Sequence, residues 1–147
     1  MIIVVKINKC IAAGGNVAAC AYRAWRLGSL ITNPTLRNRF KYLVAMNGYN
    51  VVGIFCIRAV ARDPEPNRVQ FDLTPINQEC YNTIEDLINR LNQATQKTRF
   101  IQGAGYVFDD HFRMAEIEIP EIKCCEYENI PLVESAQIEQ KERPKII

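Results

Sequence analysis

A mixed α+β domain, built on a mainly antiparallel sheet or a small β-barrel with two flanking helices, is the fold this sequence predicts. Three observations carry that expectation: a β-branched opening run at Ile2, Ile3, Val4, Val5 and Ile7, an Asn47-Gly48 pair between two strand-like stretches, and an apolar stripe at helical spacing through Ile84, Leu87, Ile88, Leu91 and Ala94. At 147 residues the chain is long enough for one core and too short for two, which predicts a single domain over 1–130 and a polar tail over 131–147.

The elements follow in order. The opening run reads as a buried strand that ends at Asn8 and Lys9. Gly14 and Gly15 break the chain, and Asn16 suits the N-cap of a helix whose stripe is Val17, Cys20, Ala21, Ala24 and Leu27, with Gly28 ending it. From Phe40 to Val60, Asn47-Gly48 predicts a hairpin with a type I′ turn, in which Val44 faces Val51 and Phe40 faces Phe55. Gly53 inside the second strand predicts a bulge or a close approach by another backbone. Asp63 to Asn67 form a loop, and Val69, Phe71 and Leu73 alternate with Gln70 and Asp72 as a strand stopped by Thr74 and Pro75. A helix is expected over Thr83 to Gln96, with Thr83 and Asp86 as its capping pair, and a strand over Met114 to Ile119 with Glu116 and Glu118 on a wet face.

Charge is the strongest functional signal. Residues 1–62 carry nine Lys or Arg and no Asp or Glu, so a whole-chain charge of only +2 hides a cationic half. That set is Lys6, Lys9, Arg23, Arg26, Arg37, Arg39, Lys41, Arg58 and Arg62. Arg forks match phosphate oxygens in pairs, so phosphate is the anion expected here. The competing reading is internal neutralisation by the acidic second half, with Glu116 and Glu118 as partners. Gly14 and Gly15 before a helix could offer amides to a phosphate, though they lack the patterns of dinucleotide and nucleotide-hydrolysing loops. Tyr22, Trp25 and Tyr49 are aromatics that could stack on a base.

Six cysteines, at 10, 20, 56, 80, 124 and 125, form no Cys-x-x-Cys knuckle. The first residues lack the pattern of a signal peptide, so reduced thiols and a cytoplasmic location are expected. No apolar run is long enough to span a bilayer. Asp109, Asp110 and His111 read as a turn, and neither a metal nor a cofactor is expected.

The stretch from Phe40 to Phe55 resembles the central hairpin of PUA-like domains, the superfamily of ASCH, EVE and YTH modules. Lys6-Ile7-Asn8 ending the first strand, Tyr22-Arg23-Ala24-Trp25-Arg26, and Arg68 to Phe71 extend the likeness over roughly residues 1–110. The resemblance implies a compact β-barrel that binds RNA, modified bases or nucleotides, with Trp25, Arg26, Asn47 and Tyr49 as pocket members. Ala59, Val60 and Ala61 stand where an aromatic cage would, so it does not imply recognition of a methylated base.

The reading that results is a non-catalytic module for a phosphate-bearing ligand, either single-stranded nucleic acid such as RNA or a free nucleotide that it sequesters. Its candidate ligand-binding residues are Arg23, Trp25, Arg26, Arg37, Arg39, Lys41, Asn47 and Tyr49. Two alternatives come from other classes. One is an interaction or inhibitor module that docks on an acidic partner or on a second copy of itself. The other is an enzyme acting on nucleotides with Lys41 or Tyr42 as acid or base.

Overall fold

A computed structural model describes residues 1–125 and 129–134. Strand β1, Ile2–Lys6, leads into helices α1 (Asn8–Ala12), α2 (Val17–Ala21), α3 (Ser29–Thr32) and α4 (Pro34–Arg39). Strands β2 (Tyr42–Asn47), β3 (Asn50–Arg62) and β4 (Val69–Pro75) follow, then the long helix α5 (Gln78–Thr95) and a 3-10 turn at Lys97–Phe100. Strand β5 (Ala104–Val107), helix α6 (Asp109–Met114) and the short strand β6 (Leu132–Val133) complete the described chain.

The fold is α+β, with a mixed sheet in the order β4-β3-β2-β1-β5. β1 runs parallel to β2 and antiparallel to β5, while β6 pairs in parallel with Val60 and Ala61, on the stretch of β3 that lies past the β2 pairing. No pairing joins β4 to β5 among the described residues, so the sheet is open and the barrel alternative is not formed there. Leu132 and Val133, expected in the polar tail, instead extend the sheet, and the rest of that tail from 135 onward lies outside the described residues.

Both faces of the sheet are covered, which explains why β1 is apolar at successive positions. Ile3 and Val5 pack with Leu43, Ala45, Cys20, Trp25 and Leu30 in one core. Ile2 and Val4 point the other way, onto Val44, Met46 and the α5 residues Ile84, Leu87, Ile88 and Leu91. Ile84, Leu87, Ile88 and Leu91 are therefore the core face expected from their spacing, while Ala94, the last of the expected stripe, is exposed. The helix starts earlier than predicted, because Asn77 is its cap, its side chain accepting the Cys80 N–H at 2.8 Å. Thr83 lies inside the helix, and its hydroxyl donates to the Glu79 carbonyl.

Asn16 caps α2 by accepting the Ala19 N–H, as predicted, but the helix stops at Ala21 and never reaches Gly28. The cause is tertiary: Trp25 exchanges backbone hydrogen bonds with Val69, N to O at 2.9 Å and O from N at 2.8 Å, which pulls the chain out of helical geometry.

The hairpin forms with a different turn and register. Gly48 and Tyr49 are the central pair, and Gly48 alone has a positive φ, 64°, the arrangement of a II′ turn and not of I′. A bulge beside Gly53 then sets Val44 opposite Ile54 and Leu43 opposite Phe55. Phe40 falls outside the strand and packs its ring on Tyr106 and Phe108. The bulge expected at Gly53 forms, but the close neighbour is a side chain and not another backbone: a Cβ there would stand 2.7 Å from Val17 Cγ1.

Met114 to Ile119 is not a strand. Glu116 takes a left-handed φ of 58°, its N–H reaches the Arg113 carbonyl, and Ile117 N–H reaches the Phe112 carbonyl at 2.9 Å, a Schellman end to α6 that buries Ile117. Asp109, Asp110 and His111, expected as a turn, open that helix, and His111 Nδ1 accepts the Phe108 N–H at 2.9 Å.

The expectation of reduced thiols is corrected. All six cysteines are paired, as Cys10–Cys20, Cys56–Cys125 and Cys80–Cys124, with Cα separations of 5.7, 5.8 and 6.3 Å. Adjacent Cys124 and Cys125 clamp one segment to α5 and to β3. Sequence spacing does not reveal these pairs, because the sheet brings together sulfurs up to 69 positions apart. Among the described residues no helix is long and apolar enough to cross a membrane.

Candidate anion-binding cleft

Because β1 and β2 are parallel, Lys6 and Met46 finish at the same end of the sheet, beside the β2–β3 turn and the start of antiparallel β5. Lys6 N–H donates to the Gly103 carbonyl, its ammonium donates to the Gly48 carbonyl at 3.0 Å, and Gly48 N–H donates to Asn8 Oδ1 at 2.9 Å. These bonds fix the hairpin tip over the strand ends.

A cleft of about 660 Å³ opens at this corner, within the range of roughly 300–1,000 Å³ usual for ligand pockets. Among the described residues six cations line it: Lys6, Lys9, Arg23, Arg26, Arg68 and Arg99. No carboxylate does, among the described residues. Arg68 pairs with Glu65 at 3.0 Å and donates to the Ala24 carbonyl, which braces the loop carrying Arg23 and Arg26. Arg99 donates to Gln96 Oε1. Lys6, Lys9, Arg23, Arg26 and Arg99 have no carboxylate within ion-pair distance among the described residues. Burial holds the Lys6 ammonium below the ordinary lysine value, the sign expected where a charge is partly desolvated without an anion.

Of the predicted residues, Arg23, Trp25, Arg26 and Tyr49 line this cleft. Trp25 does so with a nearly closed indole, 9% exposed, whose N–H donates to the Ala21 carbonyl, so it forms a wall and leaves no face free for stacking. Tyr49, 57% exposed, is the free aromatic. Asn47 ends β2 next to the turn without lining the cleft.

Arg37, Arg39 and Lys41 do not join them. They precede β2 and so sit at its other end, a strand length of roughly 16–20 Å away. The candidate set chosen from the sequence groups them with Arg23 and Arg26, and the length of β2 separates the two groups. In the fold, Arg37 donates to the carbonyls of Leu30, Ile31 and Ile130 and acts as a brace. Arg58 is 3.8 Å from Asp72, so internal neutralisation applies to that member of the cationic half, while Glu116 and Glu118 are exposed in the segment after α6.

The other candidates resolve into structural roles. Tyr22 is buried and donates to the Leu73 carbonyl. Gly14 and Gly15 donate their N–H groups to the Ile11 and Cys10 carbonyls, which leaves neither amide for a phosphate. Tyr42 is buried on the α5 face, and burial raises its phenol above the ordinary value, so it does not reach the cleft as an acid or base.

Lys6 and Lys9 belonged to the predicted cationic set but not to the selected site. Arg68 and Arg99 were missed, since they lie in the acidic half, and only the pairing of β5 with β1 shows that Arg99 approaches Lys6. Comparison with known protein families, curated proteins and solved structures finds no match to this chain.

Proposed function

We propose that this protein is a binding module for a phosphate-bearing ligand, a nucleotide or a single strand of nucleic acid such as RNA, held in the cleft at the Lys6 end of the sheet. One observation carries the reading: six cations surround a ligand-sized cleft that no described carboxylate enters. Surface charges of one sign repel one another, and such a cluster is most stable when an anion occupies it. Arg23 and Arg26, both exposed and without a carboxylate partner, are the forks for phosphate oxygens. The PUA-like resemblance agrees in ligand class. The proposal rests on the cleft, because the described sheet is open.

The three disulfides bear on where the module works. Disulfides persist in oxidising compartments, so we infer an oxidising location in place of the cytoplasm expected from the sequence.

The test is equilibrium binding of a labelled single-stranded RNA and of nucleoside triphosphates across a salt series. The affinity for RNA is expected to fall with a log–log slope of about 0.7 per phosphate contacted. Arg23→Ala and Arg26→Ala are each expected to weaken binding roughly tenfold, whereas Arg39→Ala at the far end leaves it unchanged. A flat salt response, or equal losses from all three variants, would overturn the proposal.

A further inference from the structure

Next to the cationic cleft lies a second cavity of about 350 Å³ with a different chemistry, lined by Tyr49, Asn89, Asn92, Gln93 and Gln96. Among the described residues, no charged side chain lines it. Positions 89, 92, 93 and 96 follow helical i, i+3, i+4, i+7 spacing, so α5 and its cap present one stripe of carboxamides to the hairpin tip. Tyr49 lines both cavities and stands between them.

We propose that this neutral groove is a nucleobase subsite. A base stacks on the exposed ring of Tyr49 and is read along its edge by Asn89 and Gln93, while its phosphates occupy the cationic cleft. The inference rests on the phosphate-binding reading above and narrows it, from any phosphate-bearing anion to one that carries a base.

Three features lead there. A carboxamide offers both donors and an acceptor, the equipment needed for a base edge, whereas recognition of phosphate alone calls for donors only. The side chains of Asn89 and Gln93 have no hydrogen-bond partner in the protein among the described residues, so their donors and acceptors are available. Gln96 spans the two chemistries, since it lines the groove and its Oε1 accepts from Arg99, which lines the cleft. Asn92 acts as a positioning residue: its Oδ1 accepts from the Thr98 hydroxyl at 2.7 Å and the Thr98 N–H at 3.1 Å, which fixes the turn that carries Arg99. Six cations exceed what a single phosphate needs, so the matching ligand bears several phosphates, as a nucleoside polyphosphate or as a short strand.

The experiment compares tripolyphosphate, which has no base, with adenosine and uridine triphosphates, a single-stranded RNA and a sulfated oligosaccharide, all on the intact oxidised protein. At least one nucleoside triphosphate is expected to bind roughly tenfold or more tightly than tripolyphosphate, the gain usual for one stacked base. The double variant Asn89→Ala with Gln93→Ala, whose residues line the groove and not the cleft, is expected to erase that gain and leave tripolyphosphate binding unchanged, and Tyr49→Leu is expected to erase the gain as well. Equal affinity for tripolyphosphate and both nucleotides would overturn the subsite while sparing the phosphate-binding reading. So would groove variants that weaken every probe alike, or a sulfated oligosaccharide that binds tightest and depends on the same amides. Failure of every probe, tripolyphosphate included, would remove both.

Discussion

Gly53 shows how one missing side chain can set a local structure. A methyl group there would stand 2.7 Å from Val17 Cγ1 and 3.1 Å from the Phe55 ring, so α2 lies against β3 only because position 53 is bare. Gly53→Ala is expected to destabilise the fold by about 1–3 kcal/mol, and Val17→Ala in the same chain is expected to recover part of that loss, both read by urea unfolding. Simple additivity of the two changes would show that the contact is not the cause. Gly15 has the same kind of role, since a Cβ there would meet both sulfurs of the Cys10–Cys20 bridge at 2.7 and 2.8 Å. His111 sets a pH response. Burial first, and then Lys97, hold its imidazole below the ordinary histidine value, and its Nδ1 accepts a backbone N–H only when unprotonated. A lowered folded-state value means that the unfolded chain takes up the proton first as pH falls. Stability should therefore drop on acidification from about pH 6.5 and level off below the folded-state value. His111→Gln, which keeps an acceptor, should flatten that segment of a thermal-melt series against pH.

At the scale of elements, ends were harder to read than interiors. The α5 stripe was legible because burying one face of a helix imposes a 3.6-residue period. Its start was not, because Asn77 and Thr83 are both plausible caps and only the chain path chooses between them. The segment after α6 misled for a related reason: Glu116, Ile117, Glu118 and Ile119 alternate like a strand, yet Glu116 is the left-handed residue of a Schellman turn. Glycine fits that conformation better, so Glu116→Gly is expected to raise stability by roughly 0.5–1 kcal/mol, seen as a higher urea midpoint with an unchanged slope. A lower midpoint would argue that the Glu116 side chain has a role the turn does not explain. The hairpin was legible as a hairpin from Asn47 and Gly48, but its register was not, since the bulge beside Gly53 depends on the approach of α2.

For the whole molecule, three disulfides fasten parts that the sheet alone would leave loosely joined. Cys56–Cys125 and Cys80–Cys124 hold the segment after α6 on the face that α5 covers, and Cys10–Cys20 joins α1 to α2 at the wall of the cationic cleft. Under denaturing, non-reducing conditions the intact mass should be that of six thiols less six hydrogens. Removing the Cys56–Cys125 bridge, which closes a 69-residue separation, is expected to cost about 4 kcal/mol in the chain-entropy account. Alkylation of any cysteine in the unreduced, unfolded protein would contradict that pairing.

The amino-acid sequence by itself determined the fold class, the buried opening strand, the core face of α5 and the concentration of positive charge in the first 62 residues. Each is a local property, carried by periodicity or by composition. Which cations share a cleft was decided by the tertiary structure alone. The parallel pairing of β1 with β2 sends Lys6 and Lys41 to opposite ends of the sheet, and β5 returns Arg99 from the acidic half to the Lys6 end. Proximity between residues far apart in the chain is set by strand order and direction, and neither is written in any single segment.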